Sequence, residues 1–169
     1  MLRPHSSTFV TRAHPNMVIN VYDASIAFSG ITIYTGYFAR LKAYPDNVLP
    51  VSVARFTPYW AAWHGKRVPE MLSLAPSEEL LAEYKDKYEF TLGHYPEEMQ
   101  DRYIASLDRL DPKTIYRDLR NLLMLYDVTT SEPSVILCCY ETPNKFCHRR
   151  ILSNWLRNHG FNVRGEYAV

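Results

Sequence analysis

The run "SVILCCY" (134–140) constrains this chain more than any other stretch. It carries no charge and reads as a strand buried among other elements, bounded upstream by the turn-forming "SEP". After a five-residue loop, Thr142 to Phe146, "CHRRILSNWLRNHG" (147–160) puts Ile151, Leu152, Trp155 and Leu156 on one stripe and stops at Gly160. That is the pattern of an amphipathic helix closed by a glycine just past its end. "FNVRGEY" then reads as a further strand. A buried strand followed so closely by a helix and a strand points to helices layered on a sheet.

The rest of the chain supports that layering. "MVINVY" (17–22), "ITIYT" (31–35) and "NVLPVSVARF" (47–56) read as strands, the last with Pro50 early enough for an edge or strand-start position. "TGYFARLKAY" turns after Gly36 into a short helix that ends before Pro45. Residues 57–76 carry three prolines and irregular periodicity, the pattern of a long loop. Ser77 caps "EELLAEYKDKYE", whose first-turn glutamates suit the helix dipole. "PEEMQDRYIASLDRL" is a further helix. In "DPKTIYRDLRNLLMLY", Asp111 is the N-cap, Pro112 takes the first helical position, and Ile115, Leu119, Leu122 and Leu123 form one stripe. The expected fold is a single α/β domain over 17–169 with a partly parallel sheet flanked by helices, preceded by an arm at 1–16.

Composition excludes several function classes. The net charge of +1 leaves no global basic field for wrapping nucleic acid, so any phosphate site must be a local patch. No apolar stretch approaches the roughly 20 residues that span a bilayer, and the first residues do not resemble a secretory signal. Three cysteines without framework spacing argue against a disulfide scaffold and for a reducing, cytoplasmic setting. There is no GxGxxG, P-loop, HExxH or GxSxG.

All three cysteines fall at the strand–helix junction, and periodicity decides which of them converge. Strand alternation turns Cys138 and Tyr140 one way, and Cys139 and Glu141 the other. His148 shares the inward face of Ile151 and Leu152, Arg149 sits at its boundary, and Arg150 aligns with Ser153, Asn154 and Arg157 on the wet face. Glu141, Cys139, Cys147, His148 and Arg149 are therefore the convergent set. Helix N-termini beyond the carboxyl ends of strands attract anions, and a thiol there beside His and Arg has a lowered pKa. Three readings follow: a reactive or anion-binding site, a zinc site with Cys139, Cys147 and His148 as ligands, or small core cysteines beside a capping histidine.

A second constellation, "ARFTPYWAAWHGKRVP", gathers Arg55, Trp60 and Trp63 with further cations; it reads either as base-stacking and phosphate-holding residues or as aromatics that seal the domain. Thr35 and Tyr37 bring hydroxyls to the end of "ITIYT", and Gly36 allows a tight turn or a close ligand approach. If the strands are parallel neighbours, Thr35, Tyr37, Arg55 and Cys147 share one sheet edge.

"IYTGYFARLKAYPDNVLPVSVARFTPYW", "LSLAP" and above all "ILCCYETPNKFCHRRILSNWLRNHG" resemble the domain-of-unknown-function 488 family, over roughly 31 to 160. Its signature of Cys-x-Glu, loop and Cys-His-Arg is matched by Cys139, Glu141, Cys147, His148 and Arg149. The resemblance implies the fold neighbourhood and a signature tied to catalysis or metal binding. The family's arginine-bearing strand is similar to "VSVAR" with Arg55, without the acidic residues that usually precede it.

The function expected from these residues is action on a nucleotide, a modified base or another phosphate-bearing ligand. Cys147 is the candidate nucleophile or redox thiol, Glu141 the acid–base or glycosyl-nucleophile carboxylate, His148 an orienting base, and Arg55 with Arg149 an anion clamp. Thr35, Tyr37, Trp60 and Trp63 complete the candidate ligand-binding set. The alternatives are a non-catalytic module that binds a nucleotide or nucleic acid, and a zinc protein. No membrane partner is expected, and the sequence assigns no oligomeric state.

Overall fold

The computed structural model of the chain describes Phe28 and residues 30–169. The expected arm at 1–16 and the strand expected at 17–22 lie outside the described residues.

Strand β1 (Thr32–Tyr37) runs through Gly36 and leads into the short helix that the sequence predicts, which is a 3₁₀ helix over Phe38–Ala43. The Tyr44 hydroxyl accepts the Tyr37 N–H at 3.0 Å and so pins the two ends of this helix together. Strand β2 (Val48–Ser52) is buried throughout. The long loop expected at 57–76 contains a small hairpin, β3 (Ala62–Trp63) and β4 (Lys66–Arg67), whose turn places His64 and Gly65 at positive φ.

Helix α1 (Glu78–Glu83) starts where the sequence predicts, with the Ser77 hydroxyl accepting the Leu80 N–H at 3.1 Å. The following turn, Tyr84–Tyr88, widens to π-helical spacing. Helices α2 (Glu97–Leu107) and α3 (Pro112–Leu125) follow. Asp111 caps α3, and Ile115, Leu119 and Leu123 are its buried stripe. Strand β5 (Ser134–Cys139), helix α4 (Arg149–Asn158) and strand β6 (Asn162–Glu166) close the fold, with Gly160 at positive φ between the last two.

The four main strands form one wholly parallel sheet in the order β2-β5-β1-β6. This is an α/β fold with flanking helices, as the sequence predicts. The edge place of β2 explains Pro50: it stands opposite Ile136 without interrupting a ladder on its outer side. Of the inner strands, β5 is buried on both faces, with Val135, Ile136, Leu137 and Cys138 almost fully inaccessible, whereas Thr32, Tyr34 and Tyr37 of β1 are only partly buried. Burying such side chains supplies the main stabilisation, about 1.5–3 kcal/mol each for the larger aliphatic ones.

Helix α4 is anchored on α2, where Trp155 Nε1 donates to Asp108 at 2.7 Å. Tyr103, fully buried on α2, meets the His148 ring edge-on at 5.7 Å, so packing of α2 fixes the residue that precedes α4. Among the described residues, no helix is long and apolar enough to cross a membrane.

Candidate functional site at the carboxyl edge of the sheet

Because all four strands are parallel, their last residues share one edge. Register puts Tyr37 beside Cys139, and Ser52 beside Cys138. The chain leaves β1 toward β2 and leaves β5 toward β6, in opposite directions across the sheet. The crevice opened by such a reversal is where ligands sit in open α/β sheets.

Into this crevice β5 delivers Cys139, and the loop from Tyr140 to Phe146 returns the chain as Cys147, His148 and Arg149. Cys139, Cys147 and His148 are buried, and their sulfur and ring-nitrogen atoms all lie within 4.8 Å of one another. The His148 ring is oriented by Val53, whose carbonyl accepts from Nε2 at 2.9 Å. Since a carbonyl can only accept, Nε2 carries the proton and Nδ1 is turned to the sulfurs, 3.8 Å from Cys147 and 3.9 Å from Cys139.

Arg149 is 4% exposed, more deeply placed than the boundary position its periodicity predicts. Its Nε donates to Cys147 Sγ at 3.3 Å, Nη2 donates to the Glu141 carbonyl, and Nη1 faces Glu166 Oε2 at 3.8 Å. Thr35 donates its hydroxyl to the same Glu166 oxygen at 2.8 Å. The electrostatics divide the thiols. Cys147 is held well below the ordinary thiol value, first by the hydrogen bond from Cys139 and then by His148 and the Arg149 charge, against the opposing effect of burial. Cys139 is pushed up as the partner that keeps its proton. Burial likewise raises Cys138, which sits in the core with its thiol toward the Ile136 carbonyl.

Cys147 lines two cavities. One, of about 290 Å³, is walled by Phe56, Tyr84, Tyr95, Tyr140 and Phe146, with Cys139, Glu141 and His148 also on its surface. Tyr84 comes from the π-helical turn, and Tyr95 packs against Phe146 at 4.8 Å between ring centres. The other, of about 410 Å³, is basic: Lys145, Arg149, Arg150 and Arg157 line it with Thr35, Ser153 and Glu166.

The remaining sequence candidates are dispersed. Glu141 is half-exposed and faces Lys145 at 3.8 Å. Arg55 lines the aromatic cavity, but its guanidinium donates to the carbonyls of Leu72, Ala75 and Pro76 and so ties down the "LSLAP" loop. The Tyr37 hydroxyl accepts from Arg40 at 3.0 Å, outside both cavities. Trp63 is buried beneath the hairpin, and Trp60 packs edge-on against Phe38; neither lines either cavity. Gly36 does not make room for a ligand: a Cβ there would collide with the Tyr44 hydroxyl and an Ile136 methyl.

Two features escape the sequence reading. Glu166 was legible in principle, because it ends a predicted strand and all parallel strands end at this edge. Helical phase puts Ser153 on a wet face, yet it is 5% exposed, because the face it shares with Arg150 and Arg157 is one wall of the basic cavity, together with Gly165 and Glu166.

A parallel α/β sheet whose carboxyl edge holds a buried cysteine–imidazole–guanidinium cluster defines the structural class of this protein. The family model described as "Active DUF488-N3 subclade" matches residues 41–160, and the chain belongs to this branch of the domain-of-unknown-function 488 family. Cys139, Glu141, Cys147, His148 and Arg149 lie within the matched span; Thr35 and Glu166 lie outside it. Neither the curated proteins nor the solved structures yield a match.

Proposed function

We propose that this protein is an enzyme that uses Cys147 as a nucleophile on a nucleotide, a modified base or another phosphate-bearing ligand. The observation that carries this reading is the position of Cys147 on the walls of both an aromatic and a basic cavity. A flat ring suits the first and an anion the second, and a thiol that borders both supports a ligand made of those two parts.

In this reading the Cys147 thiolate, with Cys139 donating to it and Arg149 balancing its charge, supplies the electron pair for a new bond to the ligand. Meanwhile the ligand's bond to its leaving group breaks, and that group departs with a proton from Glu141. His148 Nδ1 is within reach to take the thiol proton, and the Val53 carbonyl keeps the ring turned for that task. Glu141, on the wall of the aromatic cavity, is the acid–base carboxylate. Arg149 is the anion-facing cation; Arg55 shapes the cavity through the loop that it holds.

The test is incubation of purified protein with a panel of nucleoside mono-, di- and triphosphates and modified nucleosides, with products followed by mass spectrometry. The wild type converts at least one compound, and Cys147→Ala binds it without converting it. Binding without conversion by either protein would replace the enzyme with a non-catalytic nucleotide-binding module.

A second reading has its own observation. Bond lengths to tetrahedral zinc imply a sulfur-to-nitrogen separation of roughly 3.6 Å. The two sulfur-to-Nδ1 distances of 3.8 and 3.9 Å exceed it by only about 0.2–0.3 Å. The Nε2–H donated to a carbonyl is also the usual outer support of a metal-bound histidine. Cys139, Cys147 and His148 would then hold a zinc ion whose fourth position is open to ligand. Elemental analysis of the purified protein separates the readings: one equivalent of zinc supports coordination, and less than about a tenth of an equivalent opposes a tightly bound ion.

A further inference from the structure

Among the described residues, three buried side-chain polar atoms have no hydrogen-bond partner: Trp63 Nε1, Arg149 Nη1 and Ser153 Oγ. Trp63 lies elsewhere, but Arg149 and Ser153 both line the basic cavity. They stand one helical turn apart on α4, four residues from one another, and so lie on the same face. A buried guanidinium N–H and a buried hydroxyl left unpaired cost free energy unless something fills the place between them. Around them stand Lys145, Arg150 and Arg157, with Glu166 as the one carboxylate on the wall. The first turn of this ten-residue helix adds its positive dipole end, with the Arg150 and Leu152 N–H groups already bonded to the Cys147 and His148 carbonyls.

Much of the surrounding cationic capacity is already directed to oxygens of the chain itself. Arg157 Nε donates to the Val163 carbonyl at 3.2 Å and its Nη1 to Asn154 at 3.1 Å, while Arg150 donates to the Pro143 carbonyl. These bonds hold the guanidinium groups in place as fixed charges. The buried donors left for a ligand are Arg149 Nη1 and Ser153 Oγ, whose hydroxyl can turn to donate, while Lys145 and the remaining N–H groups of Arg150 and Arg157 add donors at the exposed rim.

We infer that Arg149 Nη1 and Ser153 Oγ form a specific subsite for a phosphate-type oxyanion within the basic cavity, beside Cys147. The assignment deepens the proposed function, on which it rests for the nature of the ligand, by naming the donors that hold its phosphate. Glu166 sets the geometry: paired with Thr35 at 2.8 Å and facing Nη1 at 3.8 Å, it orients the guanidinium without saturating it. The oxyanion is either a small free anion or the phosphate of a nucleotide whose base occupies the aromatic cavity.

The test is calorimetric titration of the whole protein with inorganic phosphate at constant ionic strength, followed by adenosine 5′-monophosphate. The wild type binds one phosphate; Ser153→Ala weakens it by about tenfold or more and Arg149→Gln by more than that, as expected for hydrogen bonds to a charged ligand. Ser153→Ala removes one hydroxyl and keeps the fold, so it carries the test even if Arg149→Gln unfolds. Tighter binding of the nucleotide than of phosphate assigns the subsite to a nucleotide phosphate; equal affinities assign it to a free anion. No phosphate binding by the wild type, or binding unchanged in Ser153→Ala, overturns the assignment. Cys147→Ala distinguishes the two levels. Phosphate binding retained where no nucleotide is ever converted leaves the subsite standing and removes the enzyme reading. Cys147-dependent conversion without phosphate binding does the reverse.

Discussion

Arg149 Nε donates to Cys147 Sγ at 3.3 Å, although the two residues are only two positions apart where the loop gives way to α4. The guanidinium is buried, so its charge acts on the sulfur with little screening by water. Arg149→Gln removes that charge and keeps much of the volume. The expected result is an upward shift of the pH midpoint for alkylation of Cys147 by iodoacetamide, with slower alkylation at pH values below that midpoint. Arg149→Lys recovers part of the rate, because it returns a cation without the planar fork. Site-resolved mass spectrometry of the alkylated peptide measures both variants.

His148 joins two elements that are far apart in the chain. Its Nε2–H donates to Val53, beyond the end of β2, while its ring rests against Tyr103 of α2. His148→Ala leaves the buried Val53 carbonyl unpaired and opens space beside Tyr103. The variant is expected to lose about 1–3 kcal/mol, read as a lower urea midpoint with an unchanged slope. His148→Gln, which can donate again to Val53, should recover part of that stability without restoring a proton acceptor for the thiols.

The candidate site was legible in its chemistry and only partly in its surroundings. Alternation along "SVILCCY" and the phase of the following helix brought Cys139, Cys147, His148 and Arg149 together, because both periodicities are local properties of the chain. The structure adds what no local pattern carries. Arg55 looked available as an anion ligand because nothing in "VSVAR" foretells carbonyls arriving from residues 72, 75 and 76. Ser153 looked wet because helical phase reports direction and not what stands opposite. The fold class was legible from the succession of strands and helices, whereas the order β2-β5-β1-β6 depends on crossovers that the sequence does not encode locally.

Gly36 shows how closely the sheet edge is packed. It stands inside β1, opposite Cys138, and the Tyr44 hydroxyl and Ile136 occupy the space beside it. Gly36→Ala should therefore destabilise by about 1–3 kcal/mol through overpacking, although alanine is otherwise at ease in a strand-like backbone. Adding Tyr44→Phe, which removes the colliding hydroxyl, should restore only a fraction, since the Ile136 methyl remains. Denaturant unfolding of the single and double variants measures the difference.

If the folded protein makes Cys147 a reactive thiolate, the pH dependence of its alkylation will show it. Alkylation follows the thiolate fraction, so a lowered thiol pKa keeps the rate at its plateau as pH falls below 9, and the rate drops only as pH passes through the lower, folded value. In metal-free wild-type protein, Cys147 should be alkylated before Cys138 and Cys139, with a midpoint clearly below the ordinary thiol value. Cys139→Ala should move that midpoint upward. A midpoint at or above the ordinary value, unchanged by Cys139→Ala, would contradict the account and leave Cys147 as a buried thiol of the core.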